Sequence, residues 1–558
     1  MRHENEFNKR TSCIRKNRIW AASVGGAALV WFLLRVIPKP SRASYPCQRA
    51  AFPLASAFAL WLCASAAGAF SFAGMRSLAR RYRHAAAIML ALAAVAFSVW
   101  MARTRSIAAA EMATRYNFAP QTHNVAFGEA RGVFPGRVVW ARDPQAAHWN
   151  GEIGSSADQW WMDSSTDQGR VDAMVSTALR KLTGAASDEA AWKKIFSYYN
   201  RRSRGLEQGY RAGEIVAVKV NLNNSGIEGP GNIVNVSPQA ALAVVRQLVD
   251  GAHVPAGNIV VYDARRDIYP GLLKKVWGEF KDVRFVQADA ADPRQPKNPG
   301  YGDYHGLEQA QWVEGVSYSA NSYHDAKLIP KQIMDATYLV NLALLKAHSY
   351  PYASAEGGDE GQTGVTMTGK NQFGSIKGTP ELHEAINTNR KGTPHAYSPI
   401  VDLAASPNLG AKTILYMLDG LYAARRHQSF PLHFPNAPFN NRVEPYANTD
   451  WPSSILASLD GVALDSVGLD ILYSQTKNNE DENHHARILI RENADDYLQE
   501  EALADHPPSG TTYLQNGRPV ASLGVFEHWD NDLSRQYSRN KDPKTGKGIE
   551  LIYLPARQ

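Results

Sequence analysis

Cysteine is nearly missing from this chain. There are three among 558 residues, Cys13, Cys47 and Cys63, and none beyond residue 63. The long C-terminal part therefore cannot hold a disulfide, a Cys nucleophile or a cysteine-ligated iron–sulfur cluster. Acid is missing from the other end. Residues 1–105 carry only Glu4 and Glu6 against 16 Lys and Arg, while the remainder carries 44 basic and 51 acidic residues. The net charge of +7 thus belongs to the N-terminal segment. No basic domain exists to bind nucleic acid, so that class of partner is excluded. No G-x-S-x-G elbow and no H-E-x-x-H is present, which removes the standard α/β-hydrolase and zincin readings. Internal repeats and low-complexity tracts are also lacking. A hydrophobic share of 44% with 20% charged residues excludes a mainly disordered chain.

What the first 105 residues do contain is three apolar runs, at about 19–37, 50–75 and 85–102. Each reaches the length of about 17–25 residues that a membrane-spanning helix needs. Arg35 lies near one end of the first run, where a long side chain can snorkel. The N-terminal tail and the second loop hold ten Lys and Arg; the first loop and the start of the last segment hold five. The richer pair is expected in the cytoplasm, which puts residues 106–558 outside it. The expected plan is a three-helix anchor in the cell membrane with its partner the lipid bilayer, then an extracytoplasmic domain.

That domain reads as α/β. Glu214–Val220, Ile259–Asp263, Val283–Gln287, Tyr338–Leu345, Thr413–Leu418 and Ser454–Leu459 have strand character. Between them lie helical segments, one opened by Ser237-Pro238 as N-cap and first helical residue. Strands alternating with helices predict a mostly parallel or mixed sheet with helices on both faces.

In such folds ligands gather beyond the carboxyl ends of strands. Lys219, Asn221 and Asn223 are spaced by two after the first strand, so they share one face. Lys346 and His348 repeat the spacing after another strand. One cation beside two amides, and a lysine that keeps an imidazole neutral, suit a small anionic ligand. Asp263, Asp419 and Asp460 each stand at a predicted strand end. Together they could hold magnesium or calcium, or separately serve turns and caps. Gly364–Asn371 approaches the P-loop pattern but has Asn371 where a hydroxyl is needed. Its Gly and Thr residues with Lys370 could still cradle an anion through backbone N–H groups.

The ordered set VAVKVNLN, SPQAALAVVRQLVDGA, VNLALLKAH, TMTGKNQFGS, LDGL and ILASLDGVALDSVGLD resembles the uncharacterised family called domain of unknown function 362, over roughly residues 131–475. The resemblance implies an α/β domain and points to Lys219, Asn221, Lys346, His348, Lys370, Asn371, Asp419, Asp460 and Asp465. Many relatives carry ferredoxin-type cysteines, which this domain lacks. The expected function is an enzyme acting on a small anionic substrate, with Lys219, Lys346 and His348 catalytic and Asn221, Asn223, Lys370, Asn371 and Asp419 binding. The alternative is a ligand-binding or sensing module of the cell envelope.

Overall fold

A computed structural model of the chain describes Trp31 and residues 123–152, 158–222, 233–288, 306–320, 322–347, 365–386, 396–424, 430–440, 450–476 and 494–556. The chain divides into two units, Met1–Glu111 and Met112–Gln558. Apart from Trp31, the three apolar runs lie outside the described residues, among which no helix is long and apolar enough to cross a membrane.

The second unit is built on a ten-stranded sheet. Its strands are β1 (Arg137–Arg142), β2 (Val216–Val220), β3 (Ile259–Tyr262), β4 (Arg284–Gln287), β5 (Leu307–Gln309), β6 (Tyr338–Ala347), β7 (Val365–Thr366), β8 (Thr413–Ala424), β9 (Ser454–Ser458) and β10 (Glu550–Pro555). They lie in the order β10-β1-β9-β8-β6-β2-β3-β4-β5, with β7 added to β6. From β8 through β5 neighbours run parallel. β9 is antiparallel to both β8 and β1, and β7 is antiparallel to β6. The sheet is mixed and mostly parallel, as the alternation of elements predicts.

Helices cover both faces. One face packs under α1 (Gln168–Thr183), α2 (Asp188–Tyr199), α3 (Pro238–Arg246) and α4 (Pro270–Trp277). The other carries α5 (Thr368–Asn371), α6 (Thr379–Ile386), α7 (Gly461–Thr476) and α8 (Ala494–Ala502). Val216, Val218 and Val220 of β2 face the first group and Ala217 faces the second. Burying each such valine contributes about 1.5–3 kcal/mol, so the period-2 pattern fixes which side chains meet which layer. α3 begins as its sequence predicts: Ser237 Oγ accepts from Ala240 N, and Pro238 takes the first helical position, where no N–H is needed.

Two strands run further than their sequences suggest. β6 continues through Lys346 and Ala347, both buried. β8 continues through Asp419-Gly420, which looked like a turn, to Ala424. Asp419 faces Ile455 and Gly420 faces Ser454 across the ladder. A Cβ on Gly420 would stand 3.2 Å from both Leu345 Cδ2 and Ser454 O, so glycine suits the close strand packing.

Candidate functional site

β2 sends Lys219 to the face covered by α5–α8, where it is fully buried. Its ammonium needs three acceptors. It finds Asp263 Oδ2 and Asn371 Oδ1, each at 3.1 Å, and the carbonyl of Val220. Burial lowers the pKa of Lys219, and the Asp263 carboxylate opposes that shift. Asp263 follows β3. Its Oδ2 also accepts from Leu222 N at 3.1 Å, and its Oδ1 accepts from Arg265 N at 3.0 Å. A Cβ on Gly374 would lie 2.4 Å from Lys219 Nζ and 2.9 Å from Asp263 Oδ1, so only glycine lets the backbone close over this pair.

Asn371 is the junction. Its Oδ1 accepts from Lys219 and, at 3.1 Å, from Asn221 Nδ2; its Nδ2 donates to Asn341 Oδ1 at 2.7 Å. The orientation of the amide follows from chemistry, because an ammonium can only donate. Asn341 Nδ2 donates in turn to Thr368 O at 2.9 Å. Asn221 Oδ1 is buried without a hydrogen-bond partner.

The Gly- and Thr-containing motif does not offer its backbone as expected. Asp465 of α7 accepts from Thr368 N (2.9 Å), Thr368 Oγ1 (2.7 Å) and Gly369 N (2.9 Å). The N–H groups that could have cradled an anion are held by an internal carboxylate. Burial pushes the Asp465 pKa up to about 6, against the pull of those donors. Lys370 leaves this motif toward α6, where its Nζ lies 2.9 Å from His383 Nε2. His383 Nδ1 donates to Thr379 O at 2.8 Å, which fixes the tautomer and leaves the Nε2 lone pair for the ammonium. Burial, Lys370 and Arg266 together lower the His383 pKa to about 3, so the imidazole is neutral.

Lys346 is also buried. Burial first, and Arg266 second, lower its pKa to about 7. Strand alternation places it on the face of Leu342 and Leu344, opposite to Lys219 and Asn341. Lys219 and Lys346 therefore lie on opposite faces of the sheet. The reason is parity: Lys346 stands five residues beyond Asn341, the residue paired with Lys219. Arg266 acts electrostatically on both Lys346 and His383.

The three aspartates expected at a metal do not converge. Asp263 is engaged by Lys219 and two backbone amides. Asp419 accepts from Ser237 N at 2.7 Å and Leu421 N at 3.0 Å, tying β8 to the start of α3. Asp460 caps α7 through Ala463 N at 3.0 Å and also accepts from Arg131 N and Val525 N. Each carboxylate satisfies local backbone donors, so the shared magnesium or calcium site is corrected to three separate structural roles. Among the described residues no group of three or more His, Cys, Asp or Glu side chains is arranged to hold a metal ion. Asn223 and His348 lie outside the described residues. Asn341, Arg266 and His383 were missed in the sequence: Asn341 stands alone in an apolar strand, and Arg266 and His383 lie in charged segments that read as exposed.

Residues 216–470 match the model of the family described as Domain of unknown function (DUF362). The match runs from the start of β2 into α7 and so contains Lys219, Asp263, Asn341, Lys346, Lys370, Asn371, His383 and Asp465. It begins after β1, α1 and α2, later than the 131 read from the motifs. No curated protein matches the chain.

Proposed function

We propose that the α/β unit is an enzyme that takes a small anionic substrate at the carboxyl edge of its sheet. The observation that carries this reading is the contact of Lys370 with one neutral imidazole, His383, with Arg266 acting electrostatically on both His383 and Lys346. Cations concentrated at a strand edge attract an anion. Lys346, with a pKa lowered to about 7, exchanges a proton at ordinary pH and suits general acid–base work. Lys219 and Asn371 act differently. Their bonds are internal, and they set the position of α5, which carries Lys370.

We further propose that three membrane-spanning helices hold this unit outside the cytoplasm. The ten-to-five distribution of Lys and Arg around the apolar runs supports that topology.

The test is thermal unfolding of the full chain in detergent with inorganic phosphate, pyrophosphate or succinate added. A bound anion at a hundredfold excess over its Kd should stabilise the fold by about 2.7 kcal/mol. Lys346→Met should reduce that gain. If no anion raises the midpoint, or the variant responds as the wild type does, the reading fails. Turnover of a stabilising anion would select the enzyme over a binding or sensing module.

A further inference from the structure

A second cavity opens at the opposite edge of the sheet, beside the amino end of β8. Its volume is about 320 Å³, which lies within the range of small-molecule sites. Arg131, Arg202, Arg518, Tyr198, Tyr199 and Tyr416 line it. Among the described residues the lining contains no Asp or Glu. Arg202 and Arg518 are exposed at the rim, and among the described residues neither guanidinium has a hydrogen bond or ion pair. Arg131 stands deeper, and its guanidinium donates to the Ser522 carbonyl. Burial and the like charge of Arg202 lower its pKa to about 10, so it stays charged while repelled. Asp460 partly offsets the charge of Arg131, but Arg202 and Arg518 at the rim have no such partner among the described residues, so the cavity is net positive.

The floor strengthens this. Arg131 and Tyr416 also line a small chamber of about 20 Å³, room for a single water. Glu501 lines the chamber from α8 with only 4% of its surface exposed, and no hydrogen bond engages its carboxyl among the described residues. Burial, together with Asp465 and Asp460 nearby, raises its pKa well above the ordinary carboxylate range. That bias toward the neutral carboxyl weakens its opposition to the charge of Arg131. Gln372 reaches the same chamber with its Nε2 buried and without a partner. The floor thus adds the Gln372 amide N–H beneath a cationic mouth.

We propose that this arginine-lined cavity is a binding site for a small organic oxyanion, a phosphate or carboxylate, with Arg131 as the deep contact and Arg202 and Arg518 as the rim. Guanidinium forks match both oxyanions through paired N–H donors. The tyrosines supply rings and hydroxyls for the body of the ligand. The site is distinct from the carboxyl-edge cluster and does not depend on it.

Isothermal titration of the full chain in detergent tests the proposal with phenyl phosphate and benzoate as probes. At least one should bind with one site per chain, and the stronger of the two identifies the oxyanion. Binding should weaken as salt is raised. The double variant Arg202→Gln, Arg518→Gln should weaken it by about tenfold or more, as expected for lost charge-assisted bonds. Lys346→Met should leave it unchanged, which separates this site from the carboxyl edge. Glu501→Gln, which mimics the protonated carboxyl, should bind as the wild type does. The proposal is overturned if neither probe binds at millimolar concentration, if the double variant binds normally, or if Lys346→Met abolishes the signal. A tenfold gain in Glu501→Gln would also overturn it, because Glu501 would then be charged.

Discussion

Asp263→Asn should be among the most damaging single substitutions in the α/β unit. Lys219 is fully buried, and its ammonium has no route to water. With Asp263 replaced by Asn, every acceptor left to Lys219 is uncharged. The amide keeps one oxygen, so its NH2 must face either Arg265 N or the Lys219 and Leu222 N donors, and one side loses its acceptor. Removing one partner of a buried pair costs about 3–5 kcal/mol. That is a large fraction of the roughly 5–15 kcal/mol that holds an ordinary domain folded. Lys219→Met should cost less, about 1–3 kcal/mol. The carboxylate keeps two backbone donors, and Asn371 Oδ1 keeps Asn221. The double variant should cost less than the two singles combined, with a coupling of about 1–3 kcal/mol. Urea unfolding followed by tryptophan fluorescence reads this directly, since Trp140, Trp149, Trp160, Trp192 and Trp451 are all buried in the unit. The coupling should persist in high salt, because a buried pair is little screened. If Asp263→Asn costs under about 0.5 kcal/mol, the value of an ordinary surface change, the reasoning is wrong. It is equally wrong if Lys219→Met is the costlier of the two.

Three further outcomes follow from the same geometry. His383 has a folded pKa of about 3 against about 6.5 when unfolded, so the unfolded chain binds the extra proton as pH falls between those values and stability is lost there. His383→Gln should escape this, by up to about 3 kcal/mol at pH 4 relative to pH 7; parallel urea midpoints for the two proteins across that range would refute it. Asp460 and Asp465, both raised to about 6, act in the opposite sense, losing stability as pH rises through 6, but they are common to both proteins and cancel in the comparison. Lys346 has its folded pKa lowered to about 7, so it weakens the fold as pH falls from about 10 to 7. Lys346→Met should therefore be as firm as the unliganded wild type or firmer at pH 7, by up to about 4 kcal/mol, with the gain fading toward pH 10 in thermal melts; unfolding of the variant at pH 7 would mark the lysine as structural. For topology, alkaline phosphatase fused after residue 110 should be active, and an active cytoplasmic reporter at that position would reverse the orientation.

Much of the sheet is legible in the sequence because its strands are short, apolar and bounded by breakers. β2, β3 and β4 appear within two residues of where their patterns put them, and Ser237-Pro238 opens α3 as read. The misplacements occur where a polar residue sits inside a strand. Lys346 and Asp419 look like strand ends, since an isolated charge rarely enters a sheet interior. The structure admits Asp419 by giving both its oxygens backbone donors, one of them from α3, 182 residues earlier in the chain. β10 escapes notice for another reason. Its place beside β1 is a contact across more than 400 residues, which no local pattern encodes.

The same distinction governs the site. Spacing by two correctly puts Lys219 and Asn221 together, because strand geometry is local. It cannot supply Asn371, which reaches both from another element and turns two polar side chains into a network. Nor can it show that Asp465 holds the Thr368-Gly369 turn from the facing helix, so that residues which resemble an anion loop serve instead to fix Lys370 and Asn371 in place. Asn341 then extends this network to the chamber beneath the arginine-lined cavity, which it also lines. A hydrogen-bonded chain thus runs from the buried Lys219–Asp263 pair across the sheet face to the floor of the second cavity. Such a chain is costly to leave partly satisfied. It is completed by residues in or just after β2 and β3 and by residues of β6, α5 and α7, so motifs separated by long stretches of sequence meet in one network.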